Sequence, residues 1–205
     1  AYRCPPRGRV SDFGRPGATA MKHRAALFLD RDGVINVDHG YVHRAQDFRF
    51  IEGIFDLVRH ANALGHLVVV VTNQAGIGRG LYTQAQFLAL SAWMKDQFAA
   101  SGCRIDAIYH CPHHPEHGLG RYRCDCDSRK PRPGMFLRAA RELDIDLPRS
   151  VMIGDRPSDM VAAEAAGIRC RMLFQREEGG EPQAQHSTQR RIAALRDAIP
   201  YLAGD

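Results

Sequence analysis

The sequence predicts an α/β fold in which helices cover a central parallel sheet. Residues 25–29, 67–71 and 150–154 are short, mostly apolar runs without polar alternation, which is typical of strands buried on both faces of a sheet. Segments with helical spacing separate these runs, and each run ends in polar or acidic side chains. Because the carboxyl ends of parallel strands meet at one edge of a sheet, we expect a functional site at that edge.

The composition is that of an ordinary globular domain. A length of 205 residues suits one domain, and 44% hydrophobic with 25% charged residues leaves enough apolar surface for a core. The formal net charge is +5, and residues 1–24 carry this whole excess, with six Lys or Arg against one Asp. The remaining chain is therefore neutral, which argues against a nucleic-acid partner.

Residues 1–24 are predicted to be a disordered basic leader, and residues 25–205 one folded domain. The leader is rich in proline and glycine and has no periodicity. Met21 lies just before the first strand and suggests a natural start there. The longest aliphatic run, residues 67–71, is too short to cross a bilayer, and no signal-peptide core is present. We expect a cytoplasmic monomer without a membrane partner.

The first strand ends in two carboxylates, Asp30 and Asp32, and then Gly33 turns the chain away. On an extended strand end the two carboxylates lean to the same side, and Arg31 is expected to point away from them. Like charges at this spacing repel, and a divalent cation with oxygen ligands, Mg²⁺, is the simplest reason to keep them together. A solvated acidic turn is the alternative.

Two helices are indicated before the third strand. Residues 54–64 have helical spacing, and Gly65 lies where a left-handed cap ends a helix. Thr83 and Gln86 form a capping box that opens a helix through residue 100.

The second strand ends in Thr72, Asn73 and Gln74, whose hydroxyl and amide groups can hold an anionic oxygen. The glycine-rich residues 76–80 fit neither G-x-G-x-x-G nor the P-loop spacing, so we interpret them as a mobile connector. A capped turn is the alternative for residues 72–74.

A third strand, residues 105–109, leads into a segment with four soft metal ligands. The pairs Cys111-x-His113 and Cys124-x-Cys126 match a closed, structural Zn²⁺ site. A disulfide is the competing interpretation, but a reducing cytoplasm disfavours it. Three further histidines are candidates to replace His113, namely His110, His114 and His117.

The zinc loop is followed by Arg129 and Lys130, a fixed pair of cations suited to a phosphoryl group. Residues 135–143 are predicted to be a short helix. The last buried strand ends in Asp155, after which Ser158 is expected to cap a helix that Gly167 ends. Residues 192–199 are predicted to form a terminal helix.

These strand ends together indicate phosphoryl transfer. Asp30 would attack phosphorus and form an aspartyl-phosphate, and Asp32 would protonate the leaving alkoxide and later deprotonate water. Mg²⁺ on Asp30, Asp32 and Asp155, together with Lys130, would screen the carboxylate from the phosphate.

The motifs resemble those of the haloacid dehalogenase (HAD) superfamily of phosphatases, in order and over nearly all of residues 26–174. They are Asp30-Arg31-Asp32-Gly33, Thr72-Asn73, Lys130 and Gly154-Asp155. Within the superfamily, residues 28–42, 71–74, 111–115, 124–126 and 129–131 are similar to the D-glycero-D-manno-heptose-1,7-bisphosphate 7-phosphatase family of bacterial heptose-nucleotide and lipopolysaccharide synthesis.

The resemblance implies a Rossmann-like three-layer sandwich with almost no cap domain and a zinc-binding loop at residues 110–130. It implies a Mg²⁺-dependent hydrolase of a small phosphorylated sugar, cleaved at its C7 phosphate. Asp30 would be the nucleophile, and Thr72 and Lys130 would stabilise the phosphoryl group. Mg²⁺ would bind Asp30, the backbone carbonyl of Asp32, and Asp155. The substrate-binding residues would be Asp38, His39, Gly40, Tyr41, Asn73, Gln74, Arg129 and Arg156.

Two other functions remain open. Histidinol-phosphate phosphatases share the zinc pattern but lack the Asp-His-Gly-Tyr-Val sequence of residues 38–42, and a zinc-stabilised binding module would need no catalysis. The chain also departs from the family pattern at two places. Asp127 and Ser128 separate the last zinc ligand from Arg129-Lys130, and Arg156 replaces the usual lysine.

Overall fold

The computed structural model describes residues 23–175 and 189–203. Six strands form one parallel sheet: β1 Ala26–Leu29, β2 Leu67–Asn73, β3 Ala107–Cys111, β4 Val151–Gly154, β5 Cys170–Phe174 and β6 Gln189–Ile192. Their order across the sheet is β3-β2-β1-β4-β5-β6. The order reverses between β1 and β4, which is where open α/β sheets bind ligands.

Helices cover both faces of this sheet. The α-helices are α1 Ile54–Ala63, α2 Ala75–Gly78, α3 Gln84–Ala100, α4 Gly134–Leu143 and α5 Pro157–Ala165, and 3₁₀ helices span Ala45–Asp47, Gly120–Tyr122, Leu147–Arg149 and Leu195–Leu202. Leu27 and Leu29 of β1 pack with α1 and α3 on one face, whereas Phe28 packs with α4 and α5 on the other. The predicted three-layer α/β sandwich is confirmed.

Local signals in the sequence placed several helix ends correctly. Thr83 Oγ1 accepts the Gln86 N–H at 3.1 Å, and the Gln86 side chain accepts the Thr83 N–H at 2.8 Å. Gly65 has a φ of 78° and Gly167 a φ of 91°, so both end their helices in the left-handed region.

The glycine-rich connector is not a mobile loop. Residues Ala75–Gly78 form α2, and Gly76 to Gly78 are buried. A Cβ on Gly76 would lie 2.2 Å from the Tyr82 ring, and one on Gly78 would lie 2.3 Å from the Pro112 carbonyl oxygen. Neighbouring segments pack so closely against this turn that only glycine fits. Sequence spacing alone does not reveal such packing.

Two other predictions near the carboxyl terminus were wrong. Ser158 does not cap α5; instead the Asp159 side chain accepts the Arg156 N–H at 3.0 Å. The helix predicted at residues 192–199 is replaced by the end of β6 and a 3₁₀ helix, Leu195–Leu202, that contains Pro200. Ile192 is the last residue of β6, and its carbonyl accepts the Gln175 N–H at 3.0 Å.

Two long connections, residues 30–53 and 112–133, run above the carboxyl edge of the sheet. Among the residues described, neither holds a separate cap domain. The leader predicted at residues 1–24 lies outside the described residues except for His23 and Arg24, and Arg24 bridges to Ile145. No described helix combines the length and apolar character needed to span a membrane.

Candidate active site

Four charged side chains meet at the carboxyl ends of β1 and β4. Lys130 Nζ lies 3.0 Å from Asp30 Oδ1 and 2.7 Å from Asp159 Oδ1, and it donates to the Val71 carbonyl at 2.8 Å. Lys130 is 3% exposed and Asp159 1% exposed. The ammonium group is therefore fixed between two carboxylates. Lys130 lies beside Asp30, as the sequence predicts.

The carboxylates of this cluster suit a divalent cation. Oxygens of Asp30, Asp155 and Asp159 all lie within 4.8 Å of one another. Lys130 pairs with two of these acids, Asp30 and Asp159, and Arg156 lies 3.7 Å from the third, Asp155. Asp155 Oδ1 is buried with no hydrogen-bond partner among the described residues. Carboxylate oxygens in such a group are the ligands that Mg²⁺ takes, and the cation would offset the repulsion among the three acids.

Protons compete with a cation for this cluster. Burial raises the pKa of Asp30 to about 7, although Lys130 opposes the shift and the neighbouring acids add to it. Burial and the charge of Asp159 raise the pKa of Asp155 to about 6. Burial works against the charged form of Lys130, but its two carboxylate partners outweigh that effect and raise its pKa. The lysine is thus a permanent cation, whereas the acids become stronger ligands as pH rises.

Two glycines allow the acids to approach. Gly33 has a φ of 88°, and a Cβ at this position would lie 2.2 Å from Asp155 Oδ2. A Cβ on Gly154 would lie 2.4 Å from the Cβ of Asp159. Any other residue would displace an acid of the cluster.

Asp32 is held from the other side by Arg31. The Arg31 Nη2 group donates to both Asp32 oxygens at 2.8 Å, and Gln74 Nε2 donates to Asp32 Oδ2 at 2.9 Å. The prediction that Arg31 points away from the acids was wrong. Arg31 is only 1% exposed, and a buried guanidinium requires a carboxylate partner, which Asp32 supplies.

The polar end of β2 fixes the site from a third direction. The Gln74 amide also donates to Thr72 Oγ1 at 2.8 Å, and it receives a hydrogen bond from the Tyr82 hydroxyl. The Asn73 side chain exchanges two hydrogen bonds with the Lys130 backbone, at 3.0 and 3.1 Å. Asn73 therefore clamps the lysine, which explains why the two extra residues before Arg129 do not displace Lys130.

Above these residues lies a cavity of about 480 Å³. Most residues predicted to bind substrate line it: Asp38, Gly40, Tyr41, Asn73, Gln74, Arg129 and Arg156. Arg156 Nη2 donates to Asp38 Oδ2 at 2.8 Å. His39 instead lines a neighbouring recess of about 600 Å³ formed with residues up to Arg49.

Seven residues line the cavity that the sequence did not assign to this site. They are Ala75, Gly76, Arg79, Tyr82, His114, Ser158 and Asp159. Asp159 carried a usable signal, since it follows Asp155 by four residues on a helix that opens at the strand end. Arg79 and Tyr82 gave no signal in the sequence, because they lie in and just after a glycine-rich segment that fits no phosphate-binding pattern.

Three of the four predicted soft ligands come together beside this cavity. The ligand atoms of Cys111, His113 and Cys126 lie within 4.8 Å of one another, and Cys111 Sγ is 3.7 Å from His113 Nδ1. A hydrogen bond from Cys111 lowers the pKa of the Cys126 thiol to about 5 and raises that of Cys111. Cys124 is buried in the same segment and stays a prediction.

The alternative histidines are engaged elsewhere. His114 Nδ1 accepts backbone N–H groups of Glu116 and His117, at 3.2 and 3.1 Å. The His110 ring packs 4.3 Å from that of Phe87. His113 is thus the histidine that the described part of the chain groups with cysteines.

A parallel α/β sheet with Asp30, Thr72, Lys130 and Asp155 at one edge defines a HAD-like hydrolase. A family model described as HAD-hydrolase-like matches residues 128–195. The D-glycero-beta-D-manno-heptose-1,7-bisphosphate 7-phosphatase of Vibrio cholerae is 49% identical, over 87% of this chain and 96% of its own length. The chain belongs to this family of heptose-bisphosphate phosphatases.

Two further proteins support the assignment. The D-glycero-alpha-D-manno-heptose-1,7-bisphosphate 7-phosphatase of Burkholderia mallei is 50% identical, over 90% of this chain and 96% of its own length. The crystal structure of D,D-heptose 1,7-bisphosphate phosphatase from B. bronchiseptica, complexed with magnesium and phosphate, superposes with a TM-score of 0.73. It is 32% identical and covers 87% of this chain and 97% of that one.

Proposed function

We propose that this chain is a Mg²⁺-dependent phosphatase that removes the C7 phosphate of D-glycero-D-manno-heptose 1,7-bisphosphate. The reaction would serve heptose-nucleotide synthesis for lipopolysaccharide. The observation that carries the proposal is the group of Asp30, Asp155 and Asp159 at a polar cavity, with Lys130 buried between Asp30 and Asp159, in a chain with relatives named for this activity. We further propose a cytoplasmic monomer with no nucleic-acid partner, folded over residues 25–205.

Asp30 is the nucleophile in this proposal. Its Oδ1 accepts the Arg31 N–H at 2.7 Å and faces Lys130 Nζ at 3.0 Å. These contacts leave Oδ2 to attack phosphorus. The new Asp30 O–P bond forms as the P–O bond to C7 breaks, which gives an aspartyl-phosphate and a sugar alkoxide. Lys130 and the Thr72 hydroxyl would stabilise the phosphoryl oxygens.

Asp32 is the acid and base of the two half-reactions. When protonated it gives its proton to the leaving alkoxide, and it then takes a proton from the water that attacks the aspartyl-phosphate. The second attack breaks the Asp30 O–P bond, releases inorganic phosphate and restores the carboxylate. Arg31 and Gln74 orient Asp32 through the hydrogen bonds described above.

Mg²⁺ would be held by Asp30, Asp155 and the backbone carbonyl of Asp32, with Asp159 in the same group of carboxylates. When bound, it neutralises charge on the phosphoryl oxygens as a Lewis acid. The orphaned Asp155 Oδ1 supports this assignment, because a buried carboxylate oxygen without a partner is costly.

We also propose that Cys111, His113, Cys124 and Cys126 hold a structural Zn²⁺. Thiolate and imidazole ligands suit this metal, and four protein ligands would leave no open position for water. Arg129 N–H donates to the Cys126 carbonyl at 2.9 Å, so the site would order the segment that carries Arg129 and Lys130.

The test is Mg²⁺-dependent phosphate release from both anomers of heptose 1,7-bisphosphate and from histidinol phosphate. Asp30→Asn is expected to lower release from the bisphosphate by at least about 10⁴-fold. Asp96→Asn, an exposed acid on α3, serves as the matched control and is expected to keep full activity. Preference for histidinol phosphate would refute the substrate, and activity in Asp30→Asn would refute the mechanism.

A further inference from the structure

The Gln74 side chain stands between Asp32 and a buried tyrosine. Its Nε2 group donates to Asp32 Oδ2 at 2.9 Å and to Thr72 Oγ1 at 2.8 Å, and its Oε1 accepts a hydrogen bond from the Tyr82 hydroxyl. Gln74 is 2% exposed and Tyr82 5% exposed, so water competes little for these groups. The side chains of Tyr82, Gln74 and Asp32 therefore form one hydrogen-bonded chain that leads from the protein interior to Asp32.

The orientation of the Gln74 amide decides whether this chain supports Asp32. A carboxylate only accepts hydrogen bonds, so Nε2 has to face Asp32 and Oε1 has to point the other way. The Tyr82 hydroxyl is the one donor that Oε1 has among the described residues. A buried amide oxygen without a donor is costly, so loss of this hydroxyl would favour orientations in which Gln74 no longer holds Asp32.

The Tyr82 ring is fixed by close packing on several sides. It stacks on the His43 ring, with centroids 5.1 Å apart and ring planes 3° apart. A Cβ on Gly76 would lie 2.2 Å from the ring, and Ile77 and Phe87 form a small apolar cluster with it. Burial raises the pKa of the Tyr82 hydroxyl to about 12, so it stays protonated and remains a donor at neutral pH. The ring thus presents the hydroxyl at one fixed point.

Gln74 supports Asp32 from a different segment than its other partners do. Arg31 Nη2 donates to both Asp32 oxygens at 2.8 Å, and Asn36 Nδ2 donates to Asp32 Oδ1 at 3.1 Å. Both partners belong to the same turn as Asp32, whereas Gln74 follows β2. Because its Nε2 group also donates to Thr72 at the end of β2, Gln74 sets the position of Asp32 relative to that hydroxyl.

We propose that Tyr82 is a positioning residue for the phosphoryl transfer, whose hydroxyl fixes the Gln74 amide and, through it, the Asp32 carboxylate. The inference rests on the proposed function, because it requires that Asp32 is the acid and base of that reaction. Tyr82 transfers no proton in this role. It keeps Asp32 where its proton can reach the leaving oxygen, so its loss affects turnover rather than substrate binding.

The first test is Tyr82→Phe, which removes only the hydroxyl. With Mg²⁺ and heptose 1,7-bisphosphate, kcat is expected to fall about tenfold and KM to change by less than about twofold, because Asp32 is displaced while the substrate contacts remain.

Tyr109→Phe is the matched control. Tyr109 is also buried, at 8% exposure, and its hydroxyl donates to Glu142 at 2.8 Å, but it does not line the cavity. Each variant loses one tyrosine hydrogen bond, so the urea midpoints of unfolding should fall by similar amounts. Only Tyr82→Phe should lose kcat.

Double variants test whether Tyr82 acts through Gln74 and Asp32. Gln74→Met keeps the length of the side chain and removes its amide, so adding Tyr82→Phe should lower kcat by less than about twofold more. Adding Tyr82→Phe to Asp32→Ala should likewise have little further effect, because the group that Tyr82 positions is already absent.

Three results would overturn the role of Tyr82 and leave the phosphatase intact. They are unchanged kinetics in Tyr82→Phe, a raised KM with an unchanged kcat, and losses of kcat that multiply in the double variants. No hydrolysis of the bisphosphate by the unmodified chain would overturn the proposed function and this inference with it.

Discussion

The carboxylate site and the cysteine–histidine site lie side by side but are built differently. Asp30, Asp155 and Asp159 stand at the ends of strands and on the first turn of α5, which are rooted in the buried core. Of the soft ligands, only Cys111 belongs to a strand, and His113 and Cys126 lie in the connection to α4. The core can therefore hold the carboxylates in position without a metal. The cysteine–histidine site lies mainly in a loop, so we expect its geometry to depend on a bound metal.

Lys130 joins the two sites. It lies four residues after Cys126 in the loop, yet its ammonium belongs to the carboxylate group. In the proposed function, a loop that the soft ligands would order supplies a cation to a site otherwise built at the edge of the sheet.

The largest expected effect comes from removing that cation. Lys130→Met should lower the free energy of unfolding by about 3–5 kcal/mol at pH 8, because buried Asp30 and Asp159 lose their partner. Activity should fall by about 10³-fold as a phosphoryl-stabilising charge is lost. Urea unfolding and phosphate release measure the two effects.

Arg132→Met is the matched control for this experiment. Arg132 also bridges two carboxylates, Asp125 and Asp127, but at the surface, where solvent screens the ion pairs. Its removal should leave stability and activity close to those of the unmodified chain. Equal losses of stability and activity in Lys130→Met and Arg132→Met would show that burial does not make the Lys130 ion pairs stronger than those at the surface.

Gly33→Ala tests the close approach within the carboxylate site. The added methyl group would collide with Asp155 Oδ2 and displace it, so Mg²⁺-dependent activity should fall by about 100-fold. Gly65→Ala is the control. Gly65 also has a positive φ, 78°, but nothing lies within 4 Å of its Cβ position. Both variants carry the backbone strain, and only Gly33→Ala should lose activity; comparable kcat values would contradict the assignment of Asp155 to the metal site.

Mg²⁺ binding should strengthen with pH. The pKa values of Asp30, about 7, and Asp155, about 6, are raised above those of the unfolded chain. For acids this shift stabilises the metal-free fold at low pH, and that stabilisation is lost as pH rises through 6 to 7. A cation replaces the protons, so Mg²⁺ affinity should increase by about tenfold between pH 6 and pH 8. Calorimetry in two buffers of different ionisation enthalpy measures the affinity and the protons released. A pH-independent affinity would show that these acids do not bind the cation.

The smallest expected effect is at the cysteine–histidine site. Cys126→Ser should abolish bound zinc, measured by elemental analysis, and make the connection between β3 and α4 sensitive to limited proteolysis. Activity should fall only several-fold, because the Asn73 amide still clamps the Lys130 backbone. Cys170→Ser, outside this loop, should keep the metal and the protease resistance. Unchanged metal content in Cys126→Ser would refute the zinc assignment.

The fold class followed from the sequence because its signals are local. Fully apolar runs such as residues 67–71 have no stable place except between two layers, and their polar ends must meet where parallel strands end. The same reasoning brought Asp30, Thr72 and Asp155 to one edge. The Thr83 and Gln86 capping box needs only neighbouring residues, and it was predicted correctly.

The tertiary structure decided the contacts between distant segments. Whether Asp159 joins the carboxylates depends on how α5 leaves β4, and the turn of Arg31 onto Asp32 depends on the loop that buries it. The connector at residues 75–78 became a helix because Tyr82 and Pro112 pack against its glycines. The sequence determines which charged side chains and which glycines the chain contains. Only packing determines which charged groups are buried together, and a buried charge is stable only beside a group of opposite charge that the fold brings near.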